Sequence, residues 1–348
     1  MAITPPIIKP NFFIEQSFHE FKMMQQLDLL WETGDAAQAL QQRFGWDAAS
    51  ASAWVSALLH EHYGLDDIQI VRWSISAGNA IIWLKHDQEC WIFKISADRD
   101  RHRQIEQSVE LQHWLSVQQM SVPLIVPTTA EQRVLKINER CVYLQRWLDG
   151  TPPNPDSSQQ LWRIGEETAK LQRILSAYPQ AGQLPQVLLP LEQVCMGLAA
   201  WLGNTADAAP LQQELAQLAQ QGLEHLPSGV CHNDIRAANL LFNGDQLQAV
   251  LDFEEVGWRC LVLELAWTAV HGLTMYRNWQ PCTASQQQAI IAGYQSIRPL
   301  TEAELAILPS LCRLQSLYLL CSQGATAADA IQRLKEINFH SISPLNHP

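Results

Sequence analysis

Hydrophobic and polar positions change period twice along this chain. From Glu15 to about Glu61 the apolar residues fall at helical spacing, in two or three pieces broken near Thr33-Gly34-Asp35 and at Gly45-Trp46-Asp47. Asp35 and Asp47 are candidate N-caps, and Trp54, Leu58 and Leu59 share one helix face. Met1 to Pro10 is Pro-rich and reads as an extended arm. After Tyr63-Gly64-Leu65 the period drops to two. Ile68–Ser76, Ala80–Lys85, Cys90–Ile95, Arg133–Ile137 and Cys141–Trp147 read as five antiparallel strands, interrupted by a helix from about Arg99 to Gln119. Past Thr151-Pro152-Pro153-Asn154-Pro155, a stiff breaker, the period returns to helical: Leu161–Leu175, Leu191–Leu202, Leu211–Leu223, Leu261–His271, Ser285–Ser296 and Glu302–Leu320. The pattern predicts an α+β chain with a helical prefix (1–62), a strand-rich lobe (63–148) and a mainly helical lobe (149–348).

Composition narrows the class. The 348 residues are 47% hydrophobic, enough for two lobes, and the net charge of −12 argues against nonspecific nucleic-acid binding. Eight cysteines are scattered singly with no Cys-x-x-Cys pair, as expected of reduced core thiols in a cytoplasmic protein. No basic, apolar leader opens the chain, and no uninterrupted apolar run approaches a membrane span, so neither membrane nor nucleic acid is an expected partner.

The chemistry concentrates in Gly229-Val230-Cys231-His232-Asn233-Asp234-Ile235-Arg236-Ala237-Ala238-Asn239, answered by Val250-Leu251-Asp252-Phe253-Glu254. An Asp and an Asn five apart, with a second Asp eighteen after the first, have the spacing of a kinase catalytic loop and its metal-binding aspartate. Asp234 is the candidate base for an attacking hydroxyl, while Asn239 and Asp252 are candidate oxygen ligands for Mg²⁺ on the phosphates of ATP. Two short strands, Leu240–Phe242 and Gln248–Leu251, joined at Asn243-Gly244-Asp245, would bring Asn239 and Asp252 to one end. Arg236 is a candidate contact to the transferring phosphate, or else a structural partner for a nearby carboxylate.

His232 to Asn239 followed by Asp252 resembles the motif pair of the aminoglycoside phosphotransferase and choline kinase superfamily, small-molecule kinases on the protein-kinase fold. Asn233 stands where that family usually has Gly, and Glu264, in Leu263-Glu264-Leu265-Ala266, where it often has Asp. These variants also bring to mind the hydroxylysine- and homoserine-kinase-like branches. The resemblance implies a two-lobed kinase-like fold with a five-stranded N-lobe, and roles for residues that pattern alone leaves open. Lys94, inside an apolar strand, would hold the α and β phosphates. Glu110, sixteen residues later, is favoured over Glu106 as its ion-pair partner. The Ser76-Ala77-Gly78-Asn79 turn could approach a phosphate, and a hinge at Gln145-Arg146-Trp147 could read the adenine edge through its backbone.

The expected acceptor is the hydroxyl of a small molecule. Glu254, Glu255, Trp258, Glu264, Trp267, His271, Tyr276 and Trp279 form an acidic, aromatic run suited to an amine on it. A protein kinase and a catalytically silent nucleotide-binding regulator are the alternatives. Nothing catalytic is legible in the prefix, which is expected to pack on the first lobe or on the partner subunit of a homodimer.

Overall fold

The computed structural model describes residues 26–76, 78–187 and 189–337. The arm expected over Met1–Pro10, and Ala77 in the first hairpin turn, lie outside them. The alternating segments form β2 (Gln69–Ile75), β3 (Asn79–His86), β4 (Glu89–Ser96), β6 (Leu135–Ile137) and β7 (Arg140–Arg146), all antiparallel to their neighbours within this set. Two further strands, β1 (Gln26–Leu29) and β5 (Ile125–Val126), make the sheet seven-stranded, in the order β1-β2-β3-β4-β7-β5 with β6 also on β7. β5, at two residues, is too short for alternation to reveal it, and β1 lies in a stretch whose apolar spacing reads as helical. β1 also corrects the helical reading of its stretch. It runs parallel to β2, with Asp28 accepting hydrogen bonds from Arg72 Nε (2.8 Å) and from the Ser74 hydroxyl.

One face of the sheet, including Trp73, Ile82, Leu84 and Phe93, packs on Leu40, Phe44, Val55 and Leu59 of α1 (Ala36–Phe44) and α2 (Ala48–Tyr63). Asp35 and Asp47 cap these helices as expected, accepting from Ala37 N and Ser50 N at 2.8 Å each. The described part of the prefix therefore packs on the first lobe. On the other face Cys141 and Tyr143 meet Ile105 and Val109 of α3 (His102–Val117).

The second lobe contains α4 (Ser158–Leu175), α5 (Leu191–Leu202), α6 (Ala209–Gln221), α7 (Leu261–His271), α8 (Ala284–Gln295), α9 (Glu302–Ser322) and α10 (Ala327–Glu336), the last unforeseen. α4 and α8 touch backbone to backbone. A Cβ on Gly165 would lie 1.8 Å from the Ile290 carbonyl oxygen, and one on Gly293 1.8 Å from that of Trp162, so only glycine permits this crossing. By length and composition α9 could cross a membrane, yet it buries Leu308, Leu311, Leu314 and Leu317 in the helical core. Two ribbons are set into this lobe: β8 (Ser228–Cys231) with β11 (Gly257–Cys260), and β9 (Leu240–Asn243) with β10 (Gln246–Val250).

Candidate active site

The two ribbons hold both halves of the catalytic motif. The loop 232–239 leaves β8 and enters β9, the segment 251–256 leaves β10 and enters β11, and Leu251 N donates to Asn239 O at 2.8 Å. The fully buried His232 ties them together. Its Nε2 lies 2.9 Å from the Leu251 carbonyl and must donate, while Nδ1 accepts from Asp234 N at 3.2 Å, so the ring is the neutral Nε2–H tautomer. Asn233 adopts φ 69°, where glycine is usual and asparagine is tolerated. Its Nδ2 donates to Glu255 O (2.9 Å) and its backbone N–H to Glu264 Oε1 (2.8 Å). Glu264, which also accepts from Gln172 at 2.7 Å, is thus a buried brace of the loop rather than an acceptor ligand.

Asp234 is held on both sides. Arg236 Nε donates to its two oxygens at 2.9 and 3.0 Å, and Asn239 Nδ2 donates to Oδ2 at 2.7 Å. Burial pushes the Asp234 carboxyl above the usual carboxylate range, against the pull of the Arg236 charge. Asn239 Nδ2 also donates to Asp234 O (2.9 Å), which leaves its amide oxygen for an external ligand. Asp252, at φ 63°, keeps 39% of its side chain exposed and receives Lys94 Nζ on Oδ1 at 3.0 Å. Burial works to raise its pKa, but the Lys94 ammonium outweighs this and draws it below the usual value. An amide oxygen and an ionised carboxylate are hard donors that suit Mg²⁺, which prefers one or two protein oxygens completed by water and phosphate.

The surroundings of Lys94 differ from expectation. Its Nζ reaches Asp252 and, at 3.2 Å, Glu254 Oε1, which also accepts from the Tyr143 hydroxyl at 3.3 Å. Asn79 Nδ2 lies 3.4 Å from Glu254 Oε2. Burial disfavours the ammonium, but Asp252, Tyr143 and Glu254 together raise its pKa well above the ordinary lysine value. Glu110 does not pair with it. Glu110 binds Arg133 at 3.1 Å, and Glu106 binds Lys136 at 2.8 Å. The reason is helical phase: α3 buries Ile105, Ser108, Val109 and Gln112 toward the sheet, which turns positions 106 and 110 outward. The N-terminal end of α3 instead grips the 251–256 segment, with Gln104 Nε2 on Glu254 O and Arg101 Nη2 on Glu255 Oε1, both at 2.5 Å.

The hinge assignment also moves. Gln145 lies inside the sheet, between Ile92 and Ile125, with its side chain receiving Gln112 at 3.2 Å, and Trp147 N donates to Cys90 O at 3.0 Å. Neither is among the residues that line the cleft, and Gln145 is paired with Ile125 of β5 rather than free at an edge.

A cleft of about 290 Å³ is lined by Ser76, Gly78, Asn79, Lys94, Asp234, Arg236, Asp252, Glu254 and Glu255, and also by Leu30 and Trp31. The structure therefore gathers the turn, Lys94, the candidate base Asp234 and the candidate metal ligand Asp252. Of the acidic and aromatic run, His271 is buried and stacks on Trp267 with ring centroids 3.9 Å apart, while Trp258 bonds Ala181 O at 2.7 Å. Glu254 and Glu255 do reach the cleft, but Lys94 and Arg101 hold them there. The participation of residues 30 and 31 had no signal in pattern or motif.

Residues 70–305 match the model of the phosphotransferase enzyme family. Among curated relatives, the chain is 28% identical over 196 residues to a homoserine kinase of Hyphomonas neptunium, covering 52% of this chain and 58% of that relative. It is 24% identical over 252 residues to a homoserine kinase of Methylobacterium radiotolerans, covering 68% and 73%. Among solved structures it resembles a microcompartment-associated aminopropanol kinase at TM-score 0.60, with 21% identity, covering 82% of this chain and 94% of that one. An amicoumacin kinase solved with AMP-PNP and Ca²⁺ aligns at TM-score 0.57, with 16% identity over 88% and 97%. These likenesses show the two-lobed kinase-like fold, and with more than half its length under the family model the chain belongs to the phosphotransferase enzyme family.

Proposed function

We propose that this enzyme moves the γ-phosphoryl group of ATP to a hydroxyl of a small, amine-bearing acceptor. The observation that carries the reading is the convergence of Lys94, Asp234 and Asp252 on one cleft, with Asn239 bonded to the catalytic carboxylate. Lys94 would orient the α and β phosphates, braced from below by Glu254 and Tyr143. Asn239 Oδ1 and Asp252 would hold a divalent cation, Mg²⁺ by the hardness of the donors, which when bound offsets charge on the phosphates. Asp234 would accept a hydrogen bond from the acceptor hydroxyl, align it and take its proton as transfer proceeds. Arg236 counters the effect of burial on that carboxyl and so favours the ionised form a base requires.

The amine rests on chemistry rather than on a mapped subsite. The relatives are named for homoserine and aminopropanol, both small alcohols bearing an amine, and the chain carries a net charge of −12. Coupled ADP release across amino alcohols, hydroxy amino acids, aminoglycosides and neutral sugars tests this, with Asp234→Asn as control. We expect the best turnover on an amine-bearing alcohol. Preference for a neutral sugar would overturn the acceptor class, and full activity in the control would overturn the base.

A further inference from the structure

Trp31 lies outside the stretch matched by the family model, in a prefix that looked catalytically silent, yet its indole lines the cleft beside Asp234 and Arg236. It is one side of an aromatic cage. The Arg236 guanidinium carbon lies 4.8 Å from the Trp31 ring centroid, 5.0 Å from that of Trp279 and 6.0 Å from that of Tyr276. Trp31 also meets Tyr276 edge to face, with centroids 5.2 Å apart. Under this cover Arg236 is only 3% exposed, its Nε is committed to Asp234 and its Nη1 has no hydrogen-bond partner. Cation–π contact with three rings therefore replaces much of the solvation that the guanidinium loses.

The segment that delivers Trp31 is held from both lobes. β1 joins the sheet through Arg72 and Ser74 on Asp28, and Leu30 N donates to Ile75 O at 2.8 Å. From the helical lobe, Arg277 Nη2 donates to Leu29 O at 2.5 Å. Farther along the prefix, Arg43 Nη1 donates to Ser76 O at 2.9 Å in the turn that lines the same cleft. The prefix thus bridges the lobes across the cleft mouth and touches both its nucleotide turn and its catalytic Arg. Trp31 still keeps 37% of its surface exposed, so part of its face remains open to whatever lies against Asp234.

We propose that Trp31 is a positioning and acceptor-selecting residue: it holds Arg236, and through it Asp234, in register, and its open face forms the wall against which a small acceptor seats. This rests on Asp234 being the base. Uniform loss of fold would lower every parameter together, whereas a positioning wall acts on the acceptor and on turnover but not on nucleotide affinity.

The test measures ATP hydrolysis with water in place of the acceptor, transfer to the best acceptor of the panel, and ADP affinity by calorimetry. The variants are Trp31→Ala, Trp31→Phe, Arg277→Gln and, separately, Asp234→Asn. Trp31→Ala should lower hydrolysis and kcat/KM for the acceptor by about tenfold, below the roughly 10²-fold that a 1 Å misplacement of a catalytic group can cost. ADP affinity should stay within about twofold, and Trp31→Phe, which restores a ring, should recover most of the loss. Arg277→Gln, which releases the anchor without touching the cage, should shift the same parameters in the same direction and guards against a Trp31→Ala chain that fails to fold. Wild-type hydrolysis and acceptor KM in both Trp31→Ala and Arg277→Gln would overturn the proposal. So would equal losses in Ala and Phe accompanied by weakened ADP binding. Asp234→Asn separates the two readings. If it is inactive while the Trp31 variants are normal, the wall alone fails; if it is active, the base fails first.

Discussion

The catalytic loop and the lysine site lie across one cleft from each other, and they were unequally legible. On the loop side, the functional atoms come from residues within a few positions of one another: Asp234 is held by Arg236 and Asn239, two and five residues away. On the lysine side the partners of Lys94 are 158 and 160 residues distant. Spacing encodes the first kind of site because a tight loop fixes its own geometry. It does not encode the second, since any carboxylate that folding brings close satisfies an ammonium equally well.

The strongest way to break this contrast is to remove the chemistry of the loop side. Asp234→Asn keeps the shape and an oxygen for Arg236 or Asn239 but cannot accept a proton, so transfer should fall by about 10² to 10⁴-fold with ATP affinity nearly unchanged. A turnover assay with a parallel nucleotide titration checks both parts. Asp252→Ala should lower transfer to a comparable degree but by a different route. It removes the proposed metal ligand and a partner of Lys94 together, so Mg·ATP affinity should fall with kcat, and the Mg²⁺ dependence should shift to higher concentration.

On the lysine side, a smaller effect decides which glutamate serves Lys94. Glu254→Gln removes the charge beside the ammonium and should raise KM for ATP by about tenfold, in keeping with the cost of disturbing one charge-assisted contact. Glu110→Gln should leave KM unchanged, because Glu110 is half exposed on the outer face with Arg133. The reverse outcome would restore the spacing argument and show that the helix rotates when nucleotide binds.

What the sequence revealed and what it hid follow the same division. The five alternating strands, the two Asp caps, the hairpin that joins Asn239 to Asp252 and six of the C-lobe helices were all legible, since each is encoded by local periodicity or turn chemistry. β1 was hidden because its four residues lie in a stretch whose apolar spacing reads as helical, and β5 because two residues carry no period. Glu110 was misassigned because distance along the chain was counted without the phase of α3, whose buried residues Ile105, Val109 and Gln112 face the sheet. Glu254 could have been suspected, since an acid two residues past Asp252 returns to the lysine side, but an acid near the acceptor reads identically. Trp31 had no signal at all. Its role comes from a parallel strand pairing and a cage assembled from three separate parts of the chain.

The finest test asks whether Arg236 serves the carboxylate or only the phosphate. Burial raises the Asp234 carboxyl and the Arg236 charge lowers it, so the two oppose each other at the same group. A base works in its ionised form, and activity is lost as pH falls through its pKa. With Arg236→Ala the lowering influence is gone while most of the burial remains, so the carboxyl must rise further. The acid limb of kcat/KM for the acceptor should therefore move to higher pH, and at neutral pH the variant should lose less of its rate than Asp234→Asn does. Arg236→Lys keeps the charge but not the two-oxygen grip of Nε, so its limb should fall between wild type and Ala. A pH profile of all three on the same acceptor reads the order directly. An unshifted limb in Arg236→Ala, with only kcat reduced, would assign the guanidinium to the transferring phosphate and leave the ionised form of Asp234 to the hydrogen bond from Asn239.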